Sequence, residues 1–145
     1  MTRLEEARRF REVFGQDILA NISTYGIVAK KLWNMQVDLI EEESAEFLEA
    51  ADQVYADPEN KQRREELVKE LCDLVFVCYQ FAAAFDIDLD EALRRVYVSN
   101  MSKLDESGKP IYREDGKVLK GPNYQKPDLN GLYPEPNIHY DTHGK

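Results

Sequence analysis

The sequence predicts an all-α protein, a four-helix bundle followed by a C-terminal hairpin and extended arm. Apolar residues recur at helical spacing from Leu39 to Val54 and again from Leu67 to Phe85. Glycine, proline and asparagine, which punctuate turns, become frequent only beyond Leu104. The expected division is a helical domain over 1–104 and an arm over 105–145, lying on the same domain or on a neighbouring subunit.

Each element has a local reason. Thr2-Arg3-Leu4-Glu5 is a capping-box signature that opens a first helix running to about residue 20. The less periodic stretch Asn21 to Lys31, with Gly26, joins it to a second helix beginning near Asn34. Asp57-Pro58 reads as the cap and first residue of a third helix, over about 59–85. Past Asp73 that helix is apolar on nearly every side, and such a helix must be surrounded, so a homodimer or homotetramer is expected. Asp88 and Glu91 cap a fourth helix that reaches about Lys103. Asp115-Gly116, between Pro110-Ile111-Tyr112 and Lys117-Val118-Leu119, is a type I′ hairpin signal. From Gly121 the chain reads as an extended arm.

A chain of 145 residues has a single-domain length and can bury a real core. Its net charge of −9 argues against nucleic acid as a partner, because phosphate backbones are bound by basic surfaces. No apolar run is long enough for a membrane span, and no apolar segment follows the N-terminus to suggest export. Cys72 and Cys78, six apart in one predicted helix, lie roughly 9 Å apart along its axis, beyond disulfide reach. They read as reduced core residues of a cytoplasmic protein.

Charge placement, more than charge count, carries the chemistry. On a wheel of about 100° per residue, Leu39, Ile40, Phe47, Ala50, Ala51 and Val54 share one face. Glu43 falls inside that face and Glu46 on its edge, while Glu42 turns away. Glu70 and Asp73 lie beside the second apolar stripe, directly ahead of the run from Leu74 to Phe85. Helix residues three apart are neighbours, at about 5–6 Å between Cβ atoms, so each pair presents two carboxylates to one point. If the helices pack antiparallel, the two points merge. A charge on the core side of a helix is costly unless it is paired or holds a metal. No basic residue is evidently placed on these faces, and oxygen-only donors favour Mg²⁺ or Mn²⁺.

The pattern Glu42-Glu43-Ser44-Ala45-Glu46, then two dozen residues, then Glu70-Leu71-Cys72-Asp73 ahead of an apolar helix resembles the MazG-like all-α nucleoside triphosphate pyrophosphohydrolases. The similarity runs from about residue 30 to 104, and more weakly to 130. It implies a catalytic helical domain that cleaves between the α- and β-phosphates, releasing a nucleoside monophosphate and pyrophosphate. Glu43, Glu46, Glu70 and Asp73 would be the metal ligands, for two or three Mg²⁺ or Mn²⁺ ions. Glu42 would orient water or simply be solvated. A triphosphate cannot approach four carboxylates unless divalent cations neutralise both.

For the phosphates, the same resemblance points to the end of the fourth helix and beyond, where Lys103, Lys117 and Lys120 stand, with Asn100 as a neutral donor. Trp33, Asn34 and Gln36 are candidates to stack on and hydrogen-bond the base, although Trp33 also suits a core position and Asn34 a helix cap. Tyr124 is a candidate to close over the site. Asp86-Ile87-Asp88-Leu89-Asp90 starts like a calcium loop, but the sixth and twelfth positions are Glu91 and Tyr97, so capping is preferred. His139 and His143 flank Asp141 in the tail, a weak transition-metal pattern.

Three readings compete. The favoured one is a pyrophosphohydrolase of nucleoside triphosphates. The compact domain with its arm resembles phage-encoded members, which leans the substrate towards (d)GTP and the setting to a host cytoplasm. The others are a relative acting on phosphoribosyl-ATP, which the long arm fits poorly, and a non-catalytic oligomerisation or nucleotide-sensing module.

Overall fold

The computed structural model describes residues 1–19 and 27–135. Among these the protein is all-α, with helices α1 (Arg3–Val13), α2 (Ile27–Ala56), α3 (Lys61–Ala84) and α4 (Leu89–Met101). None of them is long and apolar enough to cross a membrane. By internal packing the described residues form two compact units, Met1–Ile87 and Asp88–Tyr133, with Pro134 and Glu135 grouped with the first. The contacts thus divide the chain after Ile87, and α4 groups with the hairpin segment.

In the first unit, α3 packs against both α1 and α2. The capping box forms as read: the Glu5 amide donates to Thr2 Oγ1 at 3.2 Å, and the Thr2 amide to Glu5 Oε2 at 2.6 Å. The helix does not reach residue 20. It ends at Val13, because Gly15 takes a φ of 64° that stops helix propagation without a Cβ clash. Arg11, 1% exposed, then ties the segment after the helix to α3: Nε donates to the Asp17 carbonyl at 2.8 Å and Nη1 to Gln80 Oε1 at 3.2 Å. Burial pushes the Arg11 pKa below the ordinary guanidinium range.

The second helix starts at Ile27, well ahead of Asn34, so Asn34 lies about two turns inside it and is no cap. The third starts later than expected. Asp57-Pro58 forms a turn instead, with the Asn60 amide donating to the Asp57 carbonyl at 3.1 Å and proline at the turn position that suits its fixed φ. Asn60 is the cap, its side chain accepting from the Arg63 amide at 3.1 Å. At the far end, Asp86 takes a φ of 56° while the Ile87 amide donates to the Ala82 carbonyl at 2.8 Å. This closes α3 in the manner usual for glycine. Arg8 Nη2 holds the Asp86 carboxylate at 2.6 Å.

The core lies where α3 is densest in small residues. Ala82, Ala83, Ala84 and Phe85 are buried, and the rings of Trp33, Phe81 and Phe85 meet edge-on or tilted, with centroids 4.9–5.0 Å apart. The last two turns of α3 are thus covered by their own unit, whereas Leu71, Val75 and Phe76 remain 41–47% exposed. Cys72 is exposed as well and is not a core residue; Cys78 is partly buried, which raises its thiol pKa.

In the second unit, Asp88 caps α4 by accepting from the Glu91 amide at 3.2 Å. The capping reading of this segment therefore holds. Glu91 also accepts from Arg94 and Arg95, which hold its carboxyl down to about 2. The hairpin closes around the expected dipeptide but not as type I′, which needs positive φ at both central residues. Among the described non-glycine residues only Asp86 has a positive φ, so Asp115 does not; Gly116 alone supplies it, at 87°. The Gly116 amide donates to Arg113 O at 2.9 Å and the Arg113 amide to Lys117 O at 2.8 Å, a three-residue loop with a glycine bulge. Beyond it, Gly121 donates to the Lys103 carbonyl at 2.9 Å, and Ser99 Oγ to the Gln125 carbonyl at 2.7 Å.

Candidate active site

The apolar faces of α2 and α3 that pack together are the faces on which the sequence set its acids. One carboxylate oxygen from each of Glu43, Glu46 and Glu70 lies within 4.8 Å of the other two. Glu43 and Glu70 are partly buried and Glu46 is exposed. Their crowding has an electrostatic signature. The Glu46 carboxyl is raised above the ordinary range, first by the charge of Glu43, then by desolvation and by Glu70.

Satisfaction of the oxygens separates structural from ligand-holding acids. Glu43 Oε2 and Glu70 Oε2 are fully buried atoms with no hydrogen-bond partner. A buried carboxylate oxygen without a donor is costly, and a hard cation satisfies it directly. The donor set therefore fits a divalent cation held by oxygen. Asp73 is placed differently. Its Oδ2 accepts from Lys69 Nζ at 2.6 Å, and the same ammonium reaches Glu70 Oε1 at 3.3 Å. The expectation that no basic residue sits on these faces is corrected: Lys69, one residue before Glu70, binds both acids of its motif. The signal was in the sequence, because Lys69 and Asp73 are four apart on a helix.

The other candidates fall in several places. Glu42 is exposed and, with Asn34, Met35 and Asp38, lines a surface cavity of about 700 Å³ whose lining includes none of the three clustered acids. Trp33 stands in the aromatic core beside Phe81 and Phe85, and Gln36 is 2% exposed with Oε1 unpartnered. Asn100, Lys103, Lys117, Lys120 and Tyr124 all belong to the second unit. There Lys120 Nζ sits 4.7 Å over the Tyr124 ring, a cation–π pair. The Asn100 carbonyl accepts from the Lys103 amide at 3.2 Å. His139, Asp141 and His143, and the joining stretch around Gly26, lie outside the described residues.

The profile of the phosphoribosyl-ATP pyrophosphohydrolase family matches residues 7–100, a span that holds both acidic motifs and all three clustered glutamates. The chain belongs to this family. It is accordingly a pyrophosphohydrolase, a hydrolase acting on phosphoric anhydrides of nucleotide-like substrates. The family falls within the MazG-like all-α superfamily, so the resemblance read from Glu42-Glu46 and Glu70-Asp73 holds. Its members are typically dependent on divalent metal, which accords with the carboxylate cluster. No curated protein matches the chain. The family match stops at Asn100, ahead of Lys103, the hairpin and the arm.

Proposed function

We propose that the protein hydrolyses nucleoside triphosphates, ribo- or deoxyribo-, to the monophosphate and pyrophosphate, with (d)GTP as the leading substrate. The observation that carries this reading is the convergence of Glu43, Glu46 and Glu70 within 4.8 Å, two of them with buried oxygens lacking any donor. In this reading those three residues hold the divalent cation, Mg²⁺ or Mn²⁺, and Asp73 joins them. Two or three such ions would neutralise the substrate phosphates, polarise the α-phosphorus and lower the pKa of a water. The proton released as water attacks the α-phosphorus passes to solvent, because Glu42 faces a surface cavity that none of the three clustered acids lines. The bond that breaks joins that phosphorus to the bridging oxygen, which leaves with pyrophosphate. The same reading includes a homo-oligomer, supported by the exposed apolar residues Leu71, Val75 and Phe76 on α3.

A second reading has its own support. The matched family is named for phosphoribosyl-ATP, and that compound carries the same α–β anhydride. Against it stand the 45 residues beyond Asn100, outside the matched span, with a hairpin and an arm bonded to the end of α4. A purely structural role for the acids draws on Lys69, yet leaves Glu43 Oε2 and Glu70 Oε2 unexplained. The test is a screen of the eight common nucleoside triphosphates and phosphoribosyl-ATP with Mg²⁺, following pyrophosphate release. Turnover of one or more triphosphates, dGTP or GTP foremost, is expected. Turnover of phosphoribosyl-ATP alone would transfer the assignment to the second reading, and none at all would refute both.

A further inference from the structure

The fourth acid of the motif is already occupied. Asp73 Oδ2 lies 2.6 Å from Lys69 Nζ, and the same ammonium lies 3.3 Å from the Oε1 of Glu70, whose other oxygen is buried and unpartnered. One carboxylate of the cluster is therefore bound by a cation of the chain on one side and left without a donor on the other. Helical spacing brings Lys69 and Asp73 together, although a base four residues before an acid is the weaker order on a helix. The ammonium sits between two acids of α3, one of which, Glu70, also faces Glu43 and Glu46 of α2.

We propose that Lys69 is a built-in counter-cation of the acidic cluster. In the metal-free protein it neutralises Asp73 and the outer oxygen of Glu70. Entry of a divalent cation displaces it, which frees Asp73 to join Glu43, Glu46 and Glu70. Lys69 thereby sets the metal affinity of the site. This rests on the cation-holding reading given above and adds to it a competitor supplied by α3 itself.

The consequences follow from charge. Two carboxylates hold the Lys69 ammonium, at 3.3 Å from Glu70 and 2.6 Å from Asp73, and a divalent cation that takes those oxygens displaces it. The side chain is 65% exposed and solvent receives it readily, which keeps the competition modest. Removing one positive charge a few ångströms from a divalent ion tightens binding by roughly tenfold at the screening of a protein surface.

The test is calorimetric titration of Mn²⁺ into the metal-free full-length protein, with melting temperature as a second readout. Lys69→Met is expected to bind Mn²⁺ about tenfold tighter than wild type and to show a larger Mn²⁺-induced rise in Tm. Lys69→Gln, also uncharged, should show the same shift, and Lys69→Arg should stay near wild type. Equal or weaker Mn²⁺ binding by both uncharged variants, with wild type still binding, would overturn the role of Lys69 alone. Absence of Mn²⁺ binding in wild type and variants alike would overturn the cation-holding reading and this inference with it.

Discussion

Glu46→Gln is expected to lower pyrophosphate release by about a thousandfold, about 4 kcal/mol of barrier, without weakening the metal-free fold. The two halves of that result come from one feature. Glu46 contributes an oxygen to the three-acid cluster, so its neutral analogue removes a charged donor from the proposed cation site. In the metal-free protein the Glu43 charge, with desolvation and Glu70, holds the Glu46 carboxyl above its ordinary range. Ionised Glu46 is thus disfavoured in the folded state, and an uncharged amide relieves the crowding. The melting temperature of metal-free Glu46→Gln should equal or exceed that of wild type, while its rise on adding Mn²⁺ should shrink. Near-normal turnover with an unchanged metal effect would remove Glu46 from the site.

Gly121→Ala should produce the largest structural effect. A Cβ at Gly121 would lie 2.4 Å from the Leu104 carbonyl oxygen and 2.7 Å from that of Lys103. These are backbone atoms just past α4, and no flexible side chain is available to yield. The Gly121 amide also donates to Lys103 O at 2.9 Å, so the substitution pushes apart a bonded pair. The expected cost is about 2–4 kcal/mol, felt in the unit Asp88–Tyr133. Hydrogen exchange reads it directly: the amides of Gly121 and Leu119 should exchange at least about 30-fold faster. Unchanged protection would show that the arm is not seated through this contact.

Much of this was legible in the sequence where the cause was local or periodic. The Thr2–Glu5 box and the Asp88 cap depend on residues three apart, and both formed. The position of Glu43 on an apolar face depended on helical periodicity alone, and the structure brings it to Glu70 across α2 and α3. Reading failed where local signals competed. Gly15 ended α1 although the residues after it remained compatible with helix. Asp57-Pro58 satisfies the preferences of a helix start and of a turn equally, and the Asn60 side chain, placed to reach the Arg63 amide, decided between them. Asp115-Gly116 named a hairpin correctly but not its loop, because both turn classes accept that dipeptide.

The site was less legible than the fold, for a different reason. Periodicity places a side chain on a face but does not choose its rotamer. Lys69 lies on the flank of Glu70 and Asp73, and its long side chain brings Nζ to both carboxylates. Trp33 shows the converse: an aromatic near a proposed base site was also spaced to meet Phe81 and Phe85, and the core holds it.

The proposed chemistry requires a divalent cation bound between α2 and α3. Crystals soaked in Mn²⁺ and measured for anomalous scattering test that position directly. The predicted result is a peak enclosed by oxygens of Glu43, Glu46 and Glu70, at coordination distances of about 2.0–2.6 Å. A map with no peak among those three carboxylates, from crystals that show bound Mn²⁺ elsewhere, would contradict it.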